Sequence, residues 1–433
     1  MIEHPNEIKQ QFFSSLKRGT GEAYIMMQDH PTIDFSNFII KGALTNFAYD
    51  HQSEGSRAKY IYRLIKKSQQ KDKIIKSVLA ALQIKKDDYW GLDQMCDLAV
   101  LFFKAGYVEA KSALYVRFKL NDIEGYELCG QAQLMEIDGL KGVLTVAETI
   151  GKTILKNANW EDSWHVDSFQ KRNKNIDVYA ELKKASKKNK CIDAYYQSIL
   201  ENKWNLSKRR KPIKFTYSFI KEKIDADKFR FISAERANDL SGEEVEKLAH
   251  DFLREKNKLK QEQYLRFFSK RKYPLDYQPL LDIASFKNPA KTSLVAYAVE
   301  ALKFFKSKDI RQLALEKLKT AKNPHVYINL LVSNYQKGDY KLLSEIANKS
   351  DDYDYIHSIV FGFIAIYEAN KTKECKEPLE IIYNKMNCGL HRLDIIRLLI
   401  KNNILSAKIQ QELKYDSYDE IRRRYRSQTK KGR

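Results

Sequence analysis

The stretch GLDQMCDLAVLFFKAGYVEAKSALYVRF, residues 91–118, decides the fold class. Its apolar residues Leu92, Met95, Cys96, Leu98, Ala99, Phe102 and Phe103 recur every three or four positions. They break at Ala105-Gly106 and resume at Ala110, Ala113, Leu114, Val116 and Phe118. That spacing lines one face of a helix, and the alternation of a half-buried strand accounts for neither half. Gly106 supplies the left-handed residue that commonly ends a helix. The stretch therefore reads as two helices joined by a short break, and such a hairpin buries its apolar flanks only against neighbours.

The same unit recurs outward from it. Phe35, Phe38, Ile39, Leu44 and Phe47 keep helical spacing between Ile33 and Ala48, Ser56 opens a run through Tyr60, Ile61, Leu64 and Ile65, and Ile74, Ile75, Val78, Leu79 and Leu82 follow. Further pairs are expected from Gly125 to Leu155, where Gly139 and Gly142 interrupt a dense apolar stretch. Lys17-Arg18-Gly19-Thr20-Gly21 looks like a fragment of a phosphate loop, but it lacks a preceding apolar strand and its Lys precedes the glycines. It reads as a turn between a first helix and the next. With 16 Gly and 8 Pro in 433 residues, the chain is poor in turn formers, which excludes an all-β protein of many tight turns.

Near the C-terminus a short motif repeats: Asp309-Ile310-Arg311, Asp394-Ile395-Ile396-Arg397 and Asp419-Glu420-Ile421-Arg422. An Asp caps free amides at a helix start, and an Arg one turn on reaches carboxylates or carbonyls of an adjacent repeat. On these residues the chain resembles the HEAT/armadillo-type helical repeat proteins, whose second helix often opens on an Asp followed by a Val/Ile-Arg pair. The resemblance covers a few short motifs and gives Asp309, Arg311, Asp394 and Arg397 a repeat-capping role. It implies an all-α fold, a curved α-solenoid of stacked antiparallel helix pairs, right-handed and about ten pairs long, with a concave groove lined by the second helices. The expected organisation is an N-terminal helix and turn over 1–32, helical repeats over 33–169, a basic helical or linker region over 170–235, HEAT-like repeats over 236–415, and a basic tail over 416–433 whose end, residues 427–433, reads as frayed.

The chain carries 77 Lys+Arg against 56 Asp+Glu, a net charge of +21. Residues 171–230 hold 18 Lys+Arg and 7 Asp+Glu, net +11, so more than half of the excess lies there. Within it, Lys187, Lys188 and Lys190, then Lys208, Arg209, Arg210, Lys211 and Lys214, interleave with Tyr195, Tyr196, Trp204, Phe215, Tyr217, Phe219, Phe229 and Phe231. Cations with aromatic faces suit single-strand or backbone binding of nucleic acid; amphipathic helices with core-facing aromatics and solvated lysines give the same pattern. The stretch Arg422–Arg433 adds Arg422, Arg423 and Arg424 among seven basic residues with no acid. The function expected is a non-enzymatic binding or scaffold role, with a basic concave surface engaging an acidic protein partner or a nucleic-acid backbone.

The alternative centres on Trp160, Asp162, Trp164, Asp167 and Arg172. A distant similarity to the solenoid alkylpurine DNA glycosylases implies rings stacked on a damaged nucleotide and a carboxylate facing a cationic sugar. No motif of that family matches residue by residue, so the favoured reading packs both Trp rings between repeats and uses the acids as helix caps. Cys388-Gly389-Leu390-His391 places a Cys three residues from a His, which reads as a helix-start loop because adjacency in sequence secures no base and no orienting group. The five scattered cysteines form no C-x-x-C pair, and no metal-ligand spacing appears, so neither disulfides, metal nor cofactor is expected. The segment Ile356–Tyr367 is too short to span a bilayer. The first residues lack the order of a signal peptide, and a cytoplasmic location is expected.

Overall fold

A computed structural model describes the chain except residues 1–3, 85–87, 122–127, 158–160, 208–213, 287–292, 322 and 432–433. The described residues are helical throughout, with no strand among them. They cluster into two compact units: residues 1–210, 387–390 and 407–433 form the first, and residues 211–386 and 391–406 the second.

In the first unit, the decisive hairpin is the helix pair Tyr89–Lys104 and Glu109–Lys119, with Gly106 at φ 98° in the break. Asp88 caps the first of these by accepting from the Gly91 amide at 3.0 Å. Leu92, Met95, Cys96, Leu98, Ala99 and Phe102 are all buried, together with Ala110, Ala113, Leu114 and Phe118. Helices Ala58–Lys67 and Lys71–Leu82 bury the runs read from Tyr60 to Leu82. Ser56 stands just outside the former and accepts from the Ala58 amide at 3.1 Å. The long helical stretch Gln131–Asn157 breaks at Gly139, φ 56° and ψ −133°. Packing partners lie close in chain order: Tyr89–Lys104 touches Ala58–Lys67, Lys71–Leu82, Glu109–Lys119 and the stretch from Gln131.

Exceptions to that order are the C-terminal elements. The basic tail forms the helix Asp419–Lys431, which takes in part of the end expected to fray, and its Arg422 is only 5% exposed. A helix Ala407–Glu412 and a single 3-10 turn Leu413–Tyr415 lead into it.

In the second unit, Ser307 caps the helix Lys308–Thr320 by accepting from the Asp309 amide at 3.3 Å. The cap is thus Ser307, and Asp309 is an exposed residue of the first turn. Arg311 reaches out of its helix to the next turn of chain: it donates to both oxygens of Asp339 at 2.7 and 2.8 Å and to the Asn334 carbonyl at 2.7 Å. The buried Asn334 side chain accepts from the Ser307 amide at 2.9 Å. Asp394 does not open a helix either. It lies within Gly389–Lys401, and the Asp394–Arg397 pair at 2.8 Å is an exposed i,i+3 contact. Tyr353–Ala369 buries Ile356, Ile359, Val360, Phe363, Ile366 and Tyr367. Among the described residues no helix is long and apolar enough to cross a membrane.

The two pairs set up a comparison. Arg311→Ala leaves the 8%-exposed Asp339 carboxylate without its partner and is expected to cost about 2–4 kcal/mol, whereas Arg397→Ala is expected to cost under about 0.5 kcal/mol. Urea denaturation of both variants checks the order; equal losses would contradict it.

Candidate anion-binding site

A strongly cationic concavity lies in the first unit and starts from a turn. Helix Pro5–Arg18 ends at Gly19, φ 76°, and the chain re-enters a helix at Glu22, so Lys17-Arg18-Gly19-Thr20-Gly21 is the inter-helix turn that the sequence suggested. Three of its carbonyls are taken by three separate donors. Arg57 donates to Lys17 O at 2.6 Å, Tyr60 to Thr20 O at 3.0 Å, and the Ser417 amide to Gly19 O at 2.8 Å. A Cβ on Gly21 would sit 2.0 Å from the carbonyl oxygen of Glu412, so only glycine lets the C-terminal segment approach this closely. Buried Arg57 is held by Glu54 at 3.2 Å and donates to the Asn387 carbonyl at 2.8 Å; Glu54 also accepts from the Gly389 amide at 2.9 Å.

Docking of this segment encloses a cavity of about 360 Å³ lined by Tyr24, Arg63, Lys66, Lys67, Lys414, Tyr415, Arg422, Tyr425 and Arg426. Six of the nine are cations, three are tyrosines, and none is an acid. Arg63, Lys66 and Lys67 stand on the polar side of Ala58–Lys67, whose opposite side buries Tyr60, Ile61, Leu64 and Ile65. Tyr24 stacks on Tyr415 with ring centroids 4.1 Å apart and 19° between planes. Lys414 lies over the Tyr415 ring at 5.2 Å. Glu22, the nearest acid on the Tyr24 helix, is already engaged by Arg18 at 3.0 Å, Lys408 at 2.9 Å and the Ser15 hydroxyl at 2.6 Å. Burial pushes the Glu22 carboxyl up, but those partners outweigh it and hold the pKa below its ordinary value.

The cations are crowded. Burial, then repulsion from Arg426, lowers the Arg63 pKa. Burial, then Arg63, Arg426 and Arg423, pushes Arg422 down to about 10 against the pull of Asp416. Both stay charged at neutral pH, so their mutual repulsion is a standing cost that an anion would relieve. Arg422 is fixed by bonds to the Asp416 carbonyl, the Ser417 carbonyl at 2.7 Å and the Asp419 carboxylate.

On its other flank Arg422 lines a second cavity, of about 480 Å³, with Glu54, Lys59, Asp97, Glu136, Arg172 and Asp419 among its walls. Charges of both signs meet there. Gln133 donates to Asp97 at 2.7 Å and to Asp93 at 3.2 Å. Burial raises Asp97, and burial with the Asp97 charge pushes Asp93 up to about 6.

The residues singled out in the sequence are scattered by comparison. Lys187, Lys188 and Lys190 are exposed in the first unit, Lys214 is exposed in the second, and Lys208, Arg209, Arg210 and Lys211 lie outside the residues whose side chains are described. Of the aromatics among them, Tyr195 and Phe229 are buried in the cores of their units while Phe231 is 73% exposed. Arg422 lines the cavity; Arg423 and Arg424 are exposed on the same helix. Trp160 lies outside the described residues. Trp164 is 66% exposed, so it does not pack between helices as expected. Asp162 caps the Trp164 amide at 2.8 Å, and Asp167 accepts from Tyr179 at 2.7 Å and Ser163 at 2.8 Å. Arg172 pairs with Glu136 at 3.2 Å. Burial, then the neighbouring Asp162 charge, pushes Glu161 up to about 7. Cys388 and His391 are both buried at the start of Gly389–Lys401.

Sequence reasoning missed Tyr24, Arg63, Lys66, Lys67, Lys414, Tyr415, Tyr425 and Arg426. A local signal existed, since Arg63 with Lys66 and Lys67, and Arg422 with Arg426, repeat at i,i+3 and i,i+4 and so share a helix face. Their convergence has no local signal. No protein-family model, no curated protein and no solved structure matches the chain.

Two outcomes are expected. Gly21→Ala, at an ordinary helical φ of −66°, acts only through the clash with Glu412. It should cost about 1–3 kcal/mol and speed proteolysis of the C-terminal helix; unchanged stability would contradict the close docking. Asp93 keeps its proton in the fold up to about pH 6, while an unfolded Asp ionises near about 3.9. The fold therefore loses stability as pH rises through that window. Asp93→Asn should be more stable than the parent by on the order of 2 kcal/mol at pH 7 and no more stable at pH 3.5. A pH-independent difference in urea denaturation would rule this out.

Proposed function

We propose that this chain is a binding protein for a polyanion, a nucleic-acid backbone, and that the cavity under the Ala58–Lys67 and Asp419–Lys431 helices is its anion seat. The observation that carries the proposal is the lining of six cations and three tyrosines without a carboxylate. Arg guanidinium forks match phosphate oxygens two at a time, and tyrosine faces accept bases, so this mixture favours phosphate-bearing strands over acidic peptides. Arg422 supports the same reading, because a buried, pre-oriented guanidinium gives up little freedom on contact with a phosphate. The exposed lysines at 187, 188 and 190 extend the cationic area available to a strand in the same unit. We also propose the finer architecture, helix pairs stacked as in HEAT/armadillo-type solenoids. It is supported by packing between elements close in chain order and by the reach of Arg311 to the next turn of chain.

Anisotropy titrations of a labelled single strand against the full chain test the function. Affinity should fall with salt at a slope of about −0.7 per phosphate neutralised, about −2 to −3 for three or four contacts. Arg63→Glu with Lys66→Glu should weaken binding at least tenfold at 150 mM salt, and polyglutamate should compete poorly. Salt-insensitive binding, or equal competition by polyglutamate, would sink the nucleic-acid reading.

A further inference from the structure

We infer that the cavity recognises a nucleoside 5′-phosphate, a single nucleotide with its phosphate, rather than a strand running through. This inference rests on the anion-binding reading above and goes beyond it in naming the ligand's chemistry. A volume of about 360 Å³ lies at the small end of the roughly 300–1,000 Å³ of ordinary ligand sites, which suits one base, sugar and phosphate. The site is also chemically mixed. Arg63, Arg422 and Arg426 gather positive charge in it, where Arg63 and Arg422 each feel the other cations through a partly desolvated medium. A terminal phosphate, carrying up to two charges, relieves that repulsion better than the single charge of an internal phosphodiester.

The same cavity is also aromatic. Tyr24 and Tyr415 already stack on each other at 4.1 Å, with Lys414 over the Tyr415 ring, so their pair is a pre-ordered aromatic surface beside which a base packs without ordering a loose side chain. The tyrosines come from chain segments almost 400 residues apart and are brought together by the Gly19–Gly21 turn and its bond to Ser417. A purely electrostatic patch needs no such platform. A bare phosphate site would leave the rings unused, and a base-only site would leave three arginines in mutual repulsion. A nucleoside 5′-phosphate uses both, and it is available either free or at the 5′ end of a strand.

The test uses the full chain and four probes: adenosine 5′-monophosphate, adenosine, inorganic phosphate, and a fluorescent oligodeoxyadenylate five nucleotides long with a 5′-phosphate or a 5′-hydroxyl. AMP should displace the phosphorylated oligonucleotide at least tenfold more effectively than adenosine or phosphate, and the 5′-phosphate should tighten oligonucleotide binding at least tenfold. Tyr415→Leu should abolish the advantage of AMP over phosphate while leaving phosphate binding in place. Lys66→Gln, at an exposed position that the fold does not need, should weaken AMP and phosphate alike. A 5′-phosphorylated strand binding far more tightly than AMP identifies the strand end as the source; the reverse identifies the free nucleotide. Equal binding of 5′-phosphate and 5′-hydroxyl strands with AMP inert, while salt dependence persists, would overturn the nucleotide inference and leave the polyanion reading standing. Loss of all salt-dependent binding would overturn both.

Discussion

The candidate site depends on one turn. Gly19, Thr20 and Gly21 present their backbone so closely that the Ser417 amide, the Tyr60 hydroxyl and the Arg57 guanidinium all bond to carbonyls within or just before it. Any side chain at Gly21 would meet the Glu412 backbone, so the turn works only because two hydrogens stand where Cβ atoms would be. Once the segment from Ala407 is seated there, Tyr415 falls on Tyr24, and the last helix brings Arg422 and Arg426 over Arg63. The cavity is thus a product of docking between the two ends of the sequence, and no single element carries it.

The charge economy of the first unit follows from the same geometry. Arg57, buried beside Glu54, has its charge matched and its donors satisfied, so it holds structure. Arg422 is equally buried and has carbonyls and one carboxylate to hold it, yet it faces Arg63 and Arg426 across an acid-free space. The first arrangement is complete without a ligand. In the second, positive charge stays in excess in a concave, partly dry place, where it acts on anions more strongly than the same charges spread over a convex face. The exposed lysines of residues 183–190 contribute to the general attraction without a defined geometry.

Much of the fold was legible locally. Hairpins such as Tyr89–Lys104 with Glu109–Lys119 are written in apolar spacing and in a glycine that takes positive φ, and the structure realises both. The turn at Gly19 was legible for the same reason. Helix starts were less so: Asp-x-x-Arg occurs wherever i,i+3 pairing suits a helix surface, which is why Asp394 proved to be internal while Ser307 took the cap ascribed to Asp309. Only the end of the tail, from Ser427, read as frayed, and nothing in residues 419–431 announces that Ile421 and Arg422 are buried. Long-range docking leaves no periodic trace, so the site it builds was out of reach of local patterns.

Hydrogen-exchange mass spectrometry of the full chain, alone and with a 5′-phosphorylated oligonucleotide, tests this most directly. In the free protein, the Ser417 amide and the Asp419–Lys431 helix should exchange slowly, as the docked segment requires. On binding, protection should rise in peptides covering Glu22–Asp29, Ala58–Lys67 and residues 413–426. Fast exchange of the C-terminal segment in the free chain, or protection confined to residues 183–190 on binding, would contradict the account.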